Sequence, residues 1–276
     1  PPDLDIDRKT PLLHTMAPYS EHVLVCTGRE DWSSRIEDEE GVEGDFVRGL
    51  KGVVGKGGGL FDPYNNVLIT ASSFPLPNDK HSKDPTTSIL LFPSFTRITA
   101  IPHDTPTLQT LATSYLHAPQ PSTLPHLQRP PPPSHDTGSK ADADADAQSR
   151  LHAEPVTKPT ILICGHGGRD KRCGVLGPLL QAQFRAVLEE KRVDADVGLI
   201  SHIGGHKFAG NVIVYLPPSR LPSPSPANTN TLDGCGIWYG RVGPEQVEGV
   251  VQETVVQGKI IQELFRGGVG KGGVNL

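Results

Sequence analysis

The chain has 276 residues, 36% of them hydrophobic, and a net charge of −5 from 31 acidic and 26 basic side chains. That balance gives no reason to expect nucleic acid or an anionic membrane as partner, and no apolar run approaches the roughly 18 residues of a spanning helix. The 30 glycines and 27 prolines, in a length sufficient for two domains, point to extensive loop or linker.

The opening Pro-Pro-Asp-Leu-Asp has neither the apolar core of a secretion signal nor the Arg/Ser-rich, acid-poor character of a transit peptide. Residues 1 to about 20 read as a proline-broken arm. His22-Val-Leu-Val-Cys-Thr-Gly28 reads as a buried strand ending in a glycine turn. Asp31-Trp-Ser-Ser-Arg-Ile-Glu37 is expected to open a helix, with Asp31 or Ser33 as N-cap. A glycine-weakened helical pattern follows around Phe46–Val54. Strands are expected at Asn66–Ser72, Thr87–Pro93 and Thr96–Ile101, and a short helix at Thr107–Tyr115. Residues 1–116 thus form an N-terminal α/β domain. Residues 117–158, with four consecutive prolines and an Ala-Asp repeat, read as a disordered linker.

From residue 159 to 266 the order is β-α-β-β-β-α, an α/β domain of thioredoxin-like type. Its strands are Thr160–Cys164, Val197–Ser201, Asn211–Leu216 and Gly236–Val242. Its helices carry apolar faces at Leu176, Leu180 and Phe184, and at Val247, Val250, Val251 and Val255, with Gly258 closing the second. Residues 267–276 read as a flexible tail. Strand–Cys–Gly occurs in both halves, at Cys26 and Cys164, a faint sign of duplication.

The chemistry concentrates in this second half. Cys164-x8-Cys173 lies at a strand end and before a helix N-terminus, where thiolate is favoured. His202-x3-His206 follows the next strand, and Gly204-Gly205 between the histidines argues for a loop. Two thiolates and two imidazoles are a metal-binding set. His166 stands in reserve as a ligand or as a donor to one. Cys26 reads as a core thiol, Cys235 as a turn residue, and Trp238 and Tyr239 as strand packing. Four scattered cysteines do not make a disulfide framework. Structural zinc fits the donor set, although a spacing of eight between the cysteines is long for a zinc knuckle.

Cys164-x8-Cys173 and His202-x3-His206, followed by Gly236-Ile-Trp-Tyr-Gly-Arg-Val-Gly-Pro-Glu245, resemble the sucrase/ferredoxin-like family. His22-Val-Leu-Val-Cys-Thr-Gly-Arg-Glu-Asp-Trp32 resembles that family's N-terminal domain, so the likeness covers both halves. It implies a thioredoxin-like ferredoxin fold. It also implies a 2Fe-2S cluster with Cys164 and Cys173 on one iron and His202 and His206 on the other. Histidine in place of thiolate raises the potential. The family has a mitochondrial and a cytosolic branch, and this chain looks closer to the first. The implied role is electron transfer coupled to protons, in redox and protein-thiol homeostasis, with redox proteins as partners and the chain a monomer. Two other readings stand beside it: a thiol–disulfide oxidoreductase using Cys164 and Cys173, and a zinc-stabilised interaction module. Nothing supports a hydrolase, because no paired carboxylates fall on the site.

If imidazoles hold ferric iron, their outer N–H groups ionise more readily in the oxidised form. The midpoint potential should then fall as pH rises through the alkaline range. A potentiometric titration that shows no dependence on pH would exclude this coupling.

Overall fold

The computed structural model describes residues 4–76, 85–116, 150–218, 231–270 and 276. It is a mixed α/β structure built on one ten-stranded sheet, in the order β10-β9-β8-β6-β7-β2-β1-β3-β4-β5. The strands of the first half are β1 (Glu21–Cys26), β2 (Val67–Ser72), β3 (Thr86–Phe92), β4 (Thr96–Pro102) and β5 (His152–Pro155). Those of the second are β6 (Thr160–Cys164), β7 (Asp196–Ile200), β8 (Val212–Leu216), β9 (Cys235–Tyr239) and β10 (Phe265–Val269). Among the described residues no helix is long and apolar enough to cross a membrane.

The two halves repeat one topology. β1 and β6 each run parallel to the strand after the first helix, β2 and β7 respectively. Each also pairs antiparallel with the next, β3 or β8, which in turn pairs with β4 or β9. Both β1 and β6 are buried along their whole length, as their unbroken apolar runs require. The crossover helices are α1 (Val42–Val54) and α3 (Lys171–Lys191), and α2 (Thr105–Leu111) follows β4. α3 buries Leu176, Leu180, Phe184 and Leu188 on one stripe. The last helix opens at Pro244, buries Val247, Val250, Val251 and Val255, and ends before Gly258 at φ +65°.

The half-sheets meet where β2 and β7 end, at the antiparallel pair Ser72–Ile200. Two hydroxyls secure the junction reciprocally. Ser201 Oγ accepts from the Ala71 N–H at 3.0 Å, and Ser73 Oγ accepts from the Leu199 N–H at 2.9 Å. From this junction the sheet folds back on itself. β1 and β8 lie four places apart in the strand order. Even so, His22 Nδ1 lies 2.9 Å from Tyr215 OH, and Tyr215 stacks on Phe92 at 4.1 Å. Tyr19 OH adds contacts to Tyr215 OH at 2.6 Å and to Trp238 Nε1–H at 2.9 Å. The core between the halves is therefore aromatic, and its polar atoms are satisfied.

Three expectations change. Asp31 opens no helix. Its carboxylate accepts from the Trp32 N–H at 2.9 Å and the Gly168 N–H at 3.1 Å, while the buried Trp32 indole donates to Thr27 Oγ1 at 3.1 Å and keeps this segment irregular. Within the stretch expected as linker, His152–Pro155 pairs with β4 as an edge strand, its polar side chains being those an edge tolerates. Residues 117–149 of that stretch lie outside the described residues. The tail expected from residue 267 begins later, because Gly267, Gly268 and Val269 pair with β9. Residues 271–275 are likewise outside the description.

His22 carries a pH signature. Burial pushes its imidazole down to about 3, between Tyr215 OH and Thr70 Oγ1. The unfolded chain therefore takes up a proton near pH 6.5 that the folded chain refuses until about pH 3, so stability is full above 6.5 and declines as pH falls. Glu21, raised to about 7 by burial, acts oppositely: its contribution is full below 4.5 and lost as pH rises to about 7. Comparison with His22→Gln isolates the histidine. The difference in unfolding free energy between the two chains should shift against the wild type by about 1.4 kcal/mol per unit as pH drops below 6.5. A constant difference in urea titrations from pH 7 to 4 would contradict this.

Candidate metal centre

The site is built at the ends of β6 and β7, beside the junction. β6 delivers Cys164 at its last residue, and Cys173 lies in the first turn of α3. The intervening loop is pressed close to the helix. A methyl group on Gly177 would sit 2.5 Å from Gly165 Cα, and one on Gly174 would sit 2.6 Å from Gly167 Cα. Glycine is what lets α3 descend far enough for its first turn to meet the strand end. Asp170 caps the helix, accepting from the Arg172 N–H at 2.9 Å.

Cys164 and Cys173 are buried and not bonded to each other. Their side chains are neighbours. The Cys173 S–H holds Cys164 well below the ordinary thiol value, against its burial, helped by the His202 imidazole and the His166 N–H. The same contact pushes the Cys173 thiol up. The pair loses its first proton easily and its second with difficulty, as two sulfurs sharing one site must.

β7 leads through Ser201 into His202. Gly204 and Gly205 have φ of +83° and +71°, which turn the chain so that His206 starts a short helical turn, His206–Phe208. The two imidazoles lie 5.3 Å apart between ring centres, tilted by 40°. Both Nδ1 atoms are buried and have no hydrogen-bond partner. Buried imidazole nitrogens without partners are costly unless something else binds them. His206 Nε2 lies 4.0 Å from the Asp170 carboxylate, itself held low by Arg172.

Thus Cys164 neighbours Cys173 and His202 neighbours His206, each on the element expected of it except that Cys173 lies within the helix. Among the described residues, no three His, Cys, Asp or Glu side chains converge as a site for one metal ion. The donors stand instead as a thiol pair and an imidazole pair. This chemistry fits a two-centre iron–sulfur group better than a single zinc ion.

His166 has a different role from the one held in reserve for it. Its Nδ1 accepts from the His202 N–H at 2.9 Å, and its Nε2 faces the carbonyls of Trp32 and Ser33 at 3.0 and 2.9 Å. The Nε2–H tautomer satisfies every contact, and neither nitrogen is left for a metal. His166 therefore ties the first half's loop to the backbone of a candidate ligand. Asp31 reinforces the tie through Gly168, whose missing side chain makes room for Trp32 O. Cys26, at the matching end of β1, is buried and pushed up to about 11 by that burial. Cys235 is half-buried at the start of β9.

Sequence reasoning missed Arg266. It lies in β10 before the glycines Gly267 and Gly268, and only the pairing of that strand with β9 marks it as interior. It also missed Asp170, for which the N-cap position before an apolar-periodic helix was an available signal.

The sucrase/ferredoxin-like family matches residues 12–267. Among curated proteins, altered inheritance of mitochondria protein 32 of Clavispora lusitaniae is 50% identical over 113 residues, 41% of this chain and 36% of that protein. The protein of the same name from Debaryomyces hansenii is 47% identical over 116 residues, 42% of this chain and 38% of that one. The one from Eremothecium gossypii is 28% identical over 280 residues, 98% of this chain and 84% of that protein. The matched stretch thus spans little more than a third of the first two relatives. No solved structure matches the chain.

His166→Phe keeps the ring's volume and removes both contacts. It leaves the His202 N–H and two carbonyls unpaired, so it should cost about 1–3 kcal/mol. Amide hydrogen exchange at His202 should accelerate beyond what this loss of global stability explains. Unchanged exchange at that amide would show that His166 does not hold the loop.

Proposed function

This chain belongs to the sucrase/ferredoxin-like family, and on that premise we propose that it is a 2Fe-2S electron-transfer protein whose cluster is held by Cys164, Cys173, His202 and His206. The observation that carries the reading is the pair of buried, unpartnered Nδ1 atoms of His202 and His206, with two buried, neighbouring free thiols in the same half. Bound there, the cluster supplies one-electron transfer at a potential raised by the two neutral imidazoles. The strand order β9-β8-β6-β7, with β6 and β7 parallel, supports a thioredoxin-like second half.

The chain's own groups have definable tasks. Cys164 enters readily as thiolate because Cys173 and His202 stabilise its charge. Burial of both sulfurs keeps water from them. Each imidazole could hold iron through its buried Nδ1 and would leave Nε2 uncoordinated; His206 Nε2 lies 4.0 Å from the Asp170 carboxylate. Ionisation of such bound imidazoles would couple electron transfer to proton uptake. The role is redox or protein-thiol homeostasis with other redox proteins as partners. A mitochondrial setting agrees with the names of the relatives. A second reading, a thiol–disulfide oxidoreductase, is favoured by one observation only, the contact between Cys164 and Cys173.

Anaerobically purified chain should be red-brown, carry roughly two irons and two sulfides, and bleach with dithionite. His202→Cys and His206→Cys should keep a cluster while changing its visible spectrum and lowering its potential. A colourless chain with one zinc would overturn the proposal. A metal-free chain that cycles a Cys164–Cys173 disulfide would establish the second reading instead.

A further inference from the structure

Arg266 is a buried cation without an anion. It is 1% exposed and sits at the irregularity where β10 shifts register against β9. All its partners are neutral. Nε donates to Thr15 Oγ1 at 3.0 Å and Nη2 to Thr15 O at 2.7 Å, while Nη1 donates to Asn211 Oδ1 at 2.7 Å and Gly204 O at 3.3 Å. Arg29, Arg172 and Arg241 each face a carboxylate, yet among the described residues none pairs with Arg266. The Phe208 and Trp238 ring centres also lie 5.6 and 5.7 Å from the guanidinium; these faces and the neutral acceptors solvate the charge without cancelling it.

The guanidinium lies directly on the loop between the two histidines. A methyl group on Gly205 would meet Nη2 at 2.4 Å. Asn211, which accepts from Arg266, donates to Gly205 O at 3.0 Å, so the same contact network braces the loop. Negative charge placed on Cys164 or Cys173 would act on it. Burial draws the guanidinium down to about 10, and attraction to the Cys164 and Cys173 sulfurs opposes that fall. It remains cationic at neutral pH.

Resting on the two-thiolate, two-imidazole reading above, we propose that Arg266 is the built-in counter-charge of the metal centre, a positioning residue that sets its reduction potential. No bond forms or breaks at Arg266. One electron arriving at the site adds one negative charge, and the fixed guanidinium stabilises that state over the oxidised one. Its fork also holds the Gly204–Gly205 turn, so two contributions must be separated: the charge and the brace.

Four full-length variants separate them, with the midpoint potential read by dye-mediated titration and ligation checked by the visible spectrum. Arg266→Gln removes the charge. It should lower the reduced-to-oxidised ratio at the wild-type midpoint about tenfold, equivalent to roughly 59 mV for a one-electron couple, with little change in the spectrum. Arg266→Lys keeps the charge and loses the fork, and should stay within about threefold of the wild type. Asn211→Asp keeps Arg266 and neutralises it with a nearly isosteric carboxylate, at the loss of the Nδ2–H bond to Gly205 O, so its effect is read against Asn211→Leu, which loses that bond without adding charge. It should lower the potential in the same direction as Arg266→Gln, and it tests the idea even if Arg266→Gln does not fold. Equal shifts in the Gln and Lys variants would reduce Arg266 to a brace and overturn the proposal. A potential in Asn211→Asp no lower than that in Asn211→Leu would overturn it as well. A wild-type chain that takes up no cluster would instead defeat the functional reading on which the proposal rests.

Discussion

Two serine hydroxyls at the middle of the sheet govern everything around them. Ser73 and Ser201 each accept a backbone N–H from the other half, at the point where β2 and β7 make their single ladder pair. Backbone hydrogen bonds from Ser73 N–H to Leu199 O and from Ser201 N–H to Ala71 O, each 2.9 Å, complete the arrangement. These bonds are individually modest. Their position gives them weight, because they fix the angle at which the halves fold onto their shared aromatic core. Ser201 is also the residue before His202. The join between the halves and the entry to the loop that carries His202 and His206 are therefore the same few residues.

The repeated topology makes the division of labour visible. By strand order Cys26 occupies in the first half the place that Cys164 occupies in the second. Its thiol is buried in apolar surroundings and raised, so it behaves as a small core residue. The loop after it has turned to another task. Through Trp32, Ser33 and Asp31 it clasps the loop after Cys164, with His166 between the two. One half holds the donors and the other holds the donors' loop in shape. A symmetric scaffold thus supports an asymmetric site, and the asymmetry lies in side chains rather than in the backbone plan.

Much of this was legible from the residues. Short apolar runs bounded by turn residues located β1, β2, β3, β4, β6, β7, β8 and β9, and helical spacing located α3 and the valine-faced last helix. The four candidate donors were named because soft ligands at loop positions are uncommon; the structure shows the thiols as one neighbouring pair and the imidazoles as another. The rest depended on contacts between residues distant in the chain. β5 and β10 have polar or glycine-rich sequences whose strand character comes from the partner edge rather than from propensity. Asp31 looked like a helix cap because an acidic residue before an aromatic carries the same local signal whether it caps its own helix or a loop 137 positions away. His166 could be named as a donor or a ligand, but its tautomer follows only from the Trp32 and Ser33 carbonyls.

The clasp between Arg266 and Thr15 joins residues 251 positions apart. It bears on how the molecule is made. A ribosome releases the chain from its first residue onward, so the first half-sheet can pair while the second is still being synthesised. The four donors emerge well before β10. Until β10 has been added to β9, the turn carrying the histidines lacks its guanidinium brace. In the nascent chain the turn that carries His202 and His206 is therefore the part completed last, after the strand and helix that carry Cys164 and Cys173.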